Sequence, residues 1–161
     1  MRLVHPSPTW KHAFLDLALD HASAGEPRYE FAIRDFDGYL RKVDADTETR
    51  LDQPKWVPQS EFWLQDDGTL IGVIRVRYWL TQGLESEGGH IGYAIRPSMR
   101  RKRYGTQLLA LGLVEAKRRG INPVRVTVDA NNVGSIKVIE ANGGRLDGSK
   151  TDPHRRYWIH V

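Results

Sequence analysis

The apolar positions change period several times along the chain, and each change marks an element. Between residues 9 and 24, Trp10, Phe14, Leu17 and Leu19 recur at roughly helical spacing, and Gly25-Glu26-Pro27 ends the helix. Residues 26–58 keep no clear period. Pro54 and Pro58 close this polar stretch, where short helices are expected, either as flexible cover over a pocket or as a plain connector. The pattern sharpens in SEFWLQDDGTLIGVIRVRYWL. Two apolar runs there flank Asp67-Gly68, a dipeptide that tolerates the positive φ angles of a tight hairpin. In the second run Ile74, Val76, Tyr78 and Leu80 alternate with Arg75, Arg77 and Trp79, so the two sets face opposite sides of a strand. GGHIGYAI, residues 88–95, is a third strand stopped by Pro97.

A broad apolar arc of Leu108, Leu109, Leu111, Leu113 and Val114 predicts a largely buried helix over about 104–119, with Gly120 just past its end. Val124, Val126 and Val128 alternate as a strand. Val133, Ile136 and Ile139 share one face of a second helix, capped by Asn132 and stopped by Gly143-Gly144. RRYWIHV is a last strand. This order predicts an α/β domain of the α+β type: a single domain with a mixed, twisted central sheet and helices on both faces. Residues 1–58 make an N-terminal helical segment and 59–161 the sheet core. The strand–helix–strand unit from 88 to 129 is expected as a right-handed parallel crossover.

Composition narrows the chemistry. The chain's 161 residues suffice for one sizeable core, and 40% apolar with 27% charged residues suits a globular fold. The absence of cysteine excludes disulfides, thiolate catalysis and Cys-ligated metals, and no metal site is expected. No apolar run reaches signal-peptide length or the roughly 20 residues of a membrane helix, so a cytoplasmic location is the expectation. The net charge of +4 suits an anionic partner.

That charge is concentrated where it costs most. Arg100, Arg101, Lys102 and Arg103 stand immediately before a helix, and each cation in a first turn costs about 0.3–1 kcal/mol against the helix dipole. The free N–H groups of the same turn converge on one spot, Gly105 admits close approach and Thr106 adds a hydroxyl. The run is therefore either solvated or faces something strongly negative, such as a polyphosphate. Neither the Walker pattern nor the dinucleotide fingerprint is present. A nucleic-acid reading is disfavoured, because the aromatics lie scattered on strands and no helix-turn-helix, zinc or RNP-like pattern appears.

Arg100-Arg101-Lys102-Arg103-Tyr104-Gly105 follows the phosphate-loop pattern Gln/Arg-x-x-Gly-x-Gly/Ala, except at its middle glycine. Asn132-Val133-Gly134-Ser135 followed by IKVIEANGG fits a second motif, N-x-x-S opening a helix that ends in glycine. In this order the chain, over about residues 60–161, resembles the GNAT superfamily of acyl-CoA-dependent N-acetyltransferases, and most closely a bacterial branch of predicted acetyltransferases. The resemblance implies acetyl-CoA as co-substrate, lying in a splayed gap between strands 88–95 and 124–130. Its pantetheine arm would pair with backbone at Tyr93, Ala94 and Ile95. Its pyrophosphate would sit on the amides of Arg101 to Thr106, among the four cations. Asn132 and Ser135 would touch the arm or, equally, serve only to cap their helix.

An amide near Ile95 would polarise the thioester carbonyl. A primary amine of a small molecule or peptide would then attack directly. Glu87 and His90 are the candidate proton acceptors, with Glu85 nearby. Arg75, Arg77 and Trp79 either line the acceptor site or cover a sheet face. Two departures stand out: Arg103 replaces the loop's middle glycine, at about 1–3 kcal/mol if φ is positive there, and Ile139 replaces the tyrosine that many members use to protonate the leaving thiolate. Together the two departures leave open a module that binds acyl-CoA without turnover. Dimerisation, common in the superfamily, is the oligomeric expectation.

Overall fold

In the computed structural model, which describes residues 1–161, Asp67 and Gly68 take φ of 45° and 79°. Two positive φ angles are what a two-residue hairpin turn requires. They join β2 (Gln59–Asp66) to β3 (Thr69–Arg77), and β3 pairs onward with β4 (Ile91–Ile95). A short strand that the apolar pattern does not signal, β1 (Arg2–Val4), covers the outer edge of β2. A second sheet holds β5 (Val124–Asp129), β7 (His154–Ile159) and β6 (Arg145–Asp147), in that spatial order.

Every ladder in both sheets is antiparallel. The expected mixed sheet with a parallel pair is thus corrected, since β4 and β5 form no ladder. One backbone hydrogen bond links their starts, from His90 N to Arg125 O at 2.8 Å. Side chains take up the groups a ladder would use. Arg125 N donates to His90 Nδ1 at 2.9 Å, and Gly88 N donates to Thr127 Oγ1 at 2.8 Å.

The β2–β3 register skips Ile71, so Leu64 faces Gly72 while Gln65 faces Leu70. This bulge flips the phase of β3. Leu70 and Val73 consequently face one core, and Ile71, Ile74 and Val76 the other. Helices α5 (Tyr104–Arg118) and α6 (Val133–Ala141) pack on the second of these faces. Helices α1 (Lys11–Ser23), α2 (Glu30–Arg34) and α3 (Phe36–Ala45) cover the first, where Phe14 stacks on Trp63 at 4.2 Å. Residues 26–58 are therefore neither flexible cover nor plain connector: Tyr29, Ala32, Phe36, Tyr39 and Val43 are buried in that core.

Three apolar residues assigned to buried stripes are exposed: Leu19, Val114 and Val133. On α1 the buried set is Phe14, Leu17, Ala18 and His21, one turn-to-turn stripe that Leu19 falls outside. On α5 it is Leu108, Leu109, Gly112, Leu113 and Ala116. Gly112 lies where α5 crosses β3, and a Cβ there would collide with Ile74. A fourth helical segment, α4 (Gln82–Ser86), is opened by Thr81, whose hydroxyl accepts from Leu84 N. No helix is long and apolar enough to cross a membrane.

Candidate active site

Beyond the His90–Arg125 link, β4 and β5 part and enclose a cavity of about 310 Å³. Glu87, Tyr93, Thr127, Asp129 and His154 line it, with Ile139 among its apolar walls. A second cavity of about 460 Å³ shares Tyr93, Asn132 and Ser135 with the first and extends to the basic turn. Which backbone groups face the gap follows from register. Arg77 N donates to His90 O, and Arg96 N donates to Ile71 O. Hydrogen-bonded pairs alternate along an antiparallel ladder, so Gly92 and Ala94 are committed to β3, while Tyr93 and Ile95 turn their backbone groups toward the gap. On the other side, Ala130 N donates to Pro153 O, which leaves Thr127 and Asp129 facing it. Of the three residues expected to pair with a ligand's arm, Ala94 thus contributes lining but no free backbone group.

The basic turn leaves a run of backbone N–H groups without protein partners. The N–H groups of Arg101 to Thr106 donate to no protein acceptor. Arg101 and Arg103 both sit in the left-handed region, at φ 61° and 63°, a backbone shape that gathers successive N–H groups into a concave nest. Arg101, Lys102 and Arg103 are exposed and make no ion pair. Arg100 does: its guanidinium forks onto both carboxylate oxygens of Glu26 at 2.7 Å each. Those hydrogen bonds, with one from His21 at 2.9 Å, pull the Glu26 carboxyl down to about 2 against the opposing effect of burial. Three of the four expected cations are therefore free. Lys102 and Thr106 stand outside the cavity lining, whereas Tyr104 and Gly105 are part of it. A Cβ on Gly105 would press on Val138 of α6 at 3.1 Å, so this glycine is also set by helix packing.

Asn132 makes its cap, accepting from Ser135 N at 3.1 Å, and both residues line the two cavities. The Tyr93 hydroxyl is sealed from solvent without a hydrogen bond of good geometry. Burial raises its pKa, and the neighbouring Ser135 hydroxyl partly offsets the rise.

The two candidate proton acceptors part company. Glu87 is exposed and lines the 310 Å³ cavity. His90 is buried, and it lines a different depression with Tyr78 and Trp158. Burial, then Arg77 and Arg125, push its pKa down to about 4. Its Nδ1 lone pair is spent on Arg125 N, so the neutral ring carries its proton on Nε2 and has no lone pair left to act as a base. Glu85 lines the same far depression.

Arg75 is bound to the buried Glu61 at 2.7 Å, where Tyr39 and Trp63 also donate. Arg77 donates to the carbonyls of Gly88 and Gly89 and so holds the loop before β4. Neither arginine lines the gap, and Trp79 belongs to the far depression. The gap instead contains a pair that sequence reasoning missed. Asp129 Oδ1 and His154 Nδ1 lie 2.7 Å apart as cross-strand neighbours of β5 and β7. Only the β5–β7 register unites them. Glu26 is likewise joined to the basic turn by folding alone.

The model of the acetyltransferase (GNAT) family matches residues 26–143. That span takes in α2 and α3, which the motifs did not reach. No curated protein matches the chain in sequence. Among solved structures, Mycobacterium smegmatis RimJ in complex with CoA-disulfide is similar at a TM-score of 0.72 and 17% identity, covering 99% of this chain and 81% of its own. The microcin C7 self-immunity acetyltransferase MccE, in complex with acetyl-CoA and AMP, gives 0.71 and 13%, over 99% and 91%. The putative acetyltransferase yncA from Salmonella typhimurium, with acetyl-CoA, gives 0.60 and 16%, again over 99% and 91%.

Proposed function

Because the chain belongs to the acetyltransferase (GNAT) family, we propose that it transfers an acetyl group from acetyl-CoA to a primary amine of a small molecule or peptide. The observation that carries this reading is the basic turn. A run of six unbonded amides and the unpaired Arg101 and Arg103 reach the mouth of a gap between two strands, with Lys102 just outside its lining. Such a cradle fits a diphosphate, with amides and guanidinium groups supplying charge-assisted hydrogen bonds.

When bound, acetyl-CoA supplies an acyl group activated as a thioester. The chain's own residues then divide the work. Amides of Arg101 to Thr106, including Tyr104 and Gly105, hold the diphosphate, with Arg101, Lys102 and Arg103 around them. Arg100 serves mainly to anchor Glu26. The edge of β4 at Tyr93 and at the Ile95 N–H receives the pantetheine arm as an added strand would be received, while the Ile95 carbonyl already accepts from Arg100 Nε at 3.1 Å. Ile95 N–H is the donor toward the thioester oxygen, and Asn132 and Ser135 border the arm. Glu87 draws the acceptor's ammonium into the 310 Å³ cavity by its charge.

A second reading is favoured by Ile139. An apolar side chain stands where a proton donor is expected, which suits a module that binds acyl-CoA without turning it over. Thermal unfolding with acetyl-CoA, CoA, dephospho-CoA and a short DNA duplex tests both. At 100 times its Kd, a ligand stabilises by about 2.7 kcal/mol, worth about 5–10 °C for a chain of this size. The transferase reading expects that rise with acetyl-CoA in moderate salt, together with thiol release on addition of amines. A rise without thiol release supports the binding module. A salt-sensitive rise with DNA alone overturns both.

A further inference from the structure

We propose that His154, paired with Asp129, is the group that takes the acceptor amine's proton. The proposal rests on the transferase reading above and names a residue that neither the motifs nor the family match assigns.

The geometry begins with strand alternation. Val128 is buried in the core shared with α5 and α6, so its neighbour Asp129 projects from the opposite face of β5. Tyr157 is buried in that same core, which places His154, an odd number of positions away, on the opposite face of β7. The two side chains therefore meet on the sheet face turned away from α5 and α6, with Nδ1 and Oδ1 2.7 Å apart. Both line the 310 Å³ cavity, and Glu87 lines it as well. The basic turn opens α5. A thioester delivered from that turn and an amine arriving past Glu87 thus meet from opposite sides of the gap.

The chemistry then follows from what each group has free. His90 has no lone pair to offer. His154 Nε2 makes no hydrogen bond in the protein, and the ring is half-exposed, so it is open to a ligand. When Nε2 takes a proton from the ammonium, the imidazolium formed stands against the Asp129 carboxylate, whose Oδ1 lies 2.7 Å from Nδ1. The freed nitrogen lone pair bonds to the acyl carbon, and the carbon–sulfur bond breaks with its electron pair on sulfur. The nitrogen's second proton neutralises the thiolate, directly or through water. One amide, one thiol and one proton result, and His154 passes that proton to solvent. Asp129 is a positioning residue in this scheme. The other titratable groups lining the cavity are Glu87 and Tyr93, and Arg155 and Arg156 follow His154 on β7.

The test uses full-length protein and whichever of a panel of alkylamines, amino-acid amides, aminoglycosides and short peptides releases thiol fastest from acetyl-CoA. His154→Ala should lower kcat/KM for that amine by about 100-fold or more. Added imidazole should restore a measurable part of the rate. Asp129→Asn should lower kcat by about tenfold with little change in KM. In both variants the rise in Tm on adding acetyl-CoA should match wild type, since the basic turn is untouched. A His154→Ala protein within threefold of wild type, or one that imidazole does not rescue, overturns the role of His154. Stabilisation by acetyl-CoA without turnover of any amine overturns it as well and leaves the binding module. Failure of acetyl-CoA to stabilise wild type removes the transferase reading itself.

Discussion

Arg103→Gly separates two effects that the basic turn combines. Arg103 sits at φ 63° and ψ 6°, directly before α5, with no side-chain cap bond and no ion pair. A non-glycine residue in the left-handed region costs about 1–2 kcal/mol, and a cation in a helix's first turn about 0.3–1 kcal/mol. Glycine removes both costs and adds about 0.5–1 kcal/mol of backbone entropy to the unfolded chain. The net expectation is a gain of about 1 kcal/mol for the ligand-free protein, or about 2–4 °C in Tm.

Arg103→Ala keeps the φ angle and loses the charge, so it should recover only the dipole part. Both variants should bind CoA several-fold more weakly, by about 1 kcal/mol for an exposed charge pair, and with less sensitivity to salt. The assay is thermal unfolding of the three proteins without ligand, then titration with CoA at two salt concentrations. If Arg103→Gly is no more stable than Arg103→Ala, the strain assigned to this position is wrong. If neither variant weakens CoA binding, the charge at this position does not face the phosphates.

Other outcomes follow from features already described. Glu61→Ala should cost about 3 kcal/mol in urea unfolding, because it strands Arg75, Tyr39 and Trp63 around an empty acceptor site; a loss under 1 kcal/mol would show that the network is dispensable. His90 is held neutral, with a folded pKa of about 4 below its ordinary 6.5, so the stability it contributes is complete above pH 6.5 and is lost as pH falls toward 4. The Tm–pH curve of His90→Gln should be flatter over that window, although His21, shifted in the same direction, keeps part of the slope. Glu26, lowered to about 2 chiefly by Arg100, contributes stability that is complete above pH 4.5 and lost toward pH 2, and Glu26→Gln should remove that acid sensitivity. Gly89→Ala should cost about 2–3 kcal/mol, since φ is 63° and a Cβ would lie 2.6 Å from Arg125 O; an undiminished Tm response to CoA in that variant would show that the close approach of residue 89 to β5, beside the His90–Arg125 link, is not needed for binding.

The parts of this fold that local patterns announced are those whose cause is local. Asp67-Gly68 declared its hairpin because both residues accept positive φ, and Asn132 declared its cap because its side chain reaches only three residues ahead. Leu19 misled because α1 buries small Ala18 and polar His21 in its place, and hydrophobicity alone cannot rank an alanine above a leucine. The parallel β4–β5 pair was expected from connectivity. Whether it closes depends on His90 and Thr127 capturing backbone groups across the gap, which no spacing within either strand encodes. The cluster of cations before α5 was legible, yet the neutralisation of Arg100 was not, since Glu26 comes from the loop after α1. Asp129 and His154 carried no motif at all and become a pair only once β5 and β7 align.

The single backbone bond between the two sheets also bears on folding cooperativity. One core runs continuously across the gap, from Phe62 and Ile74 on one side to Val126 and Tyr157 on the other, while the hydrogen-bonded framework does not. Coupling between the halves of the molecule is thus carried by side-chain packing, one peptide contact and the side-chain hydrogen bonds of His90 and Thr127 at the same end of the gap. Amides at the free edges of β4 and β5 should exchange their hydrogens at a lower opening energy than those inside either sheet. A molecule lodged along β4 adds backbone partners where the chain has none. It would raise the protection of those amides selectively, and the two sheets would then open as one unit.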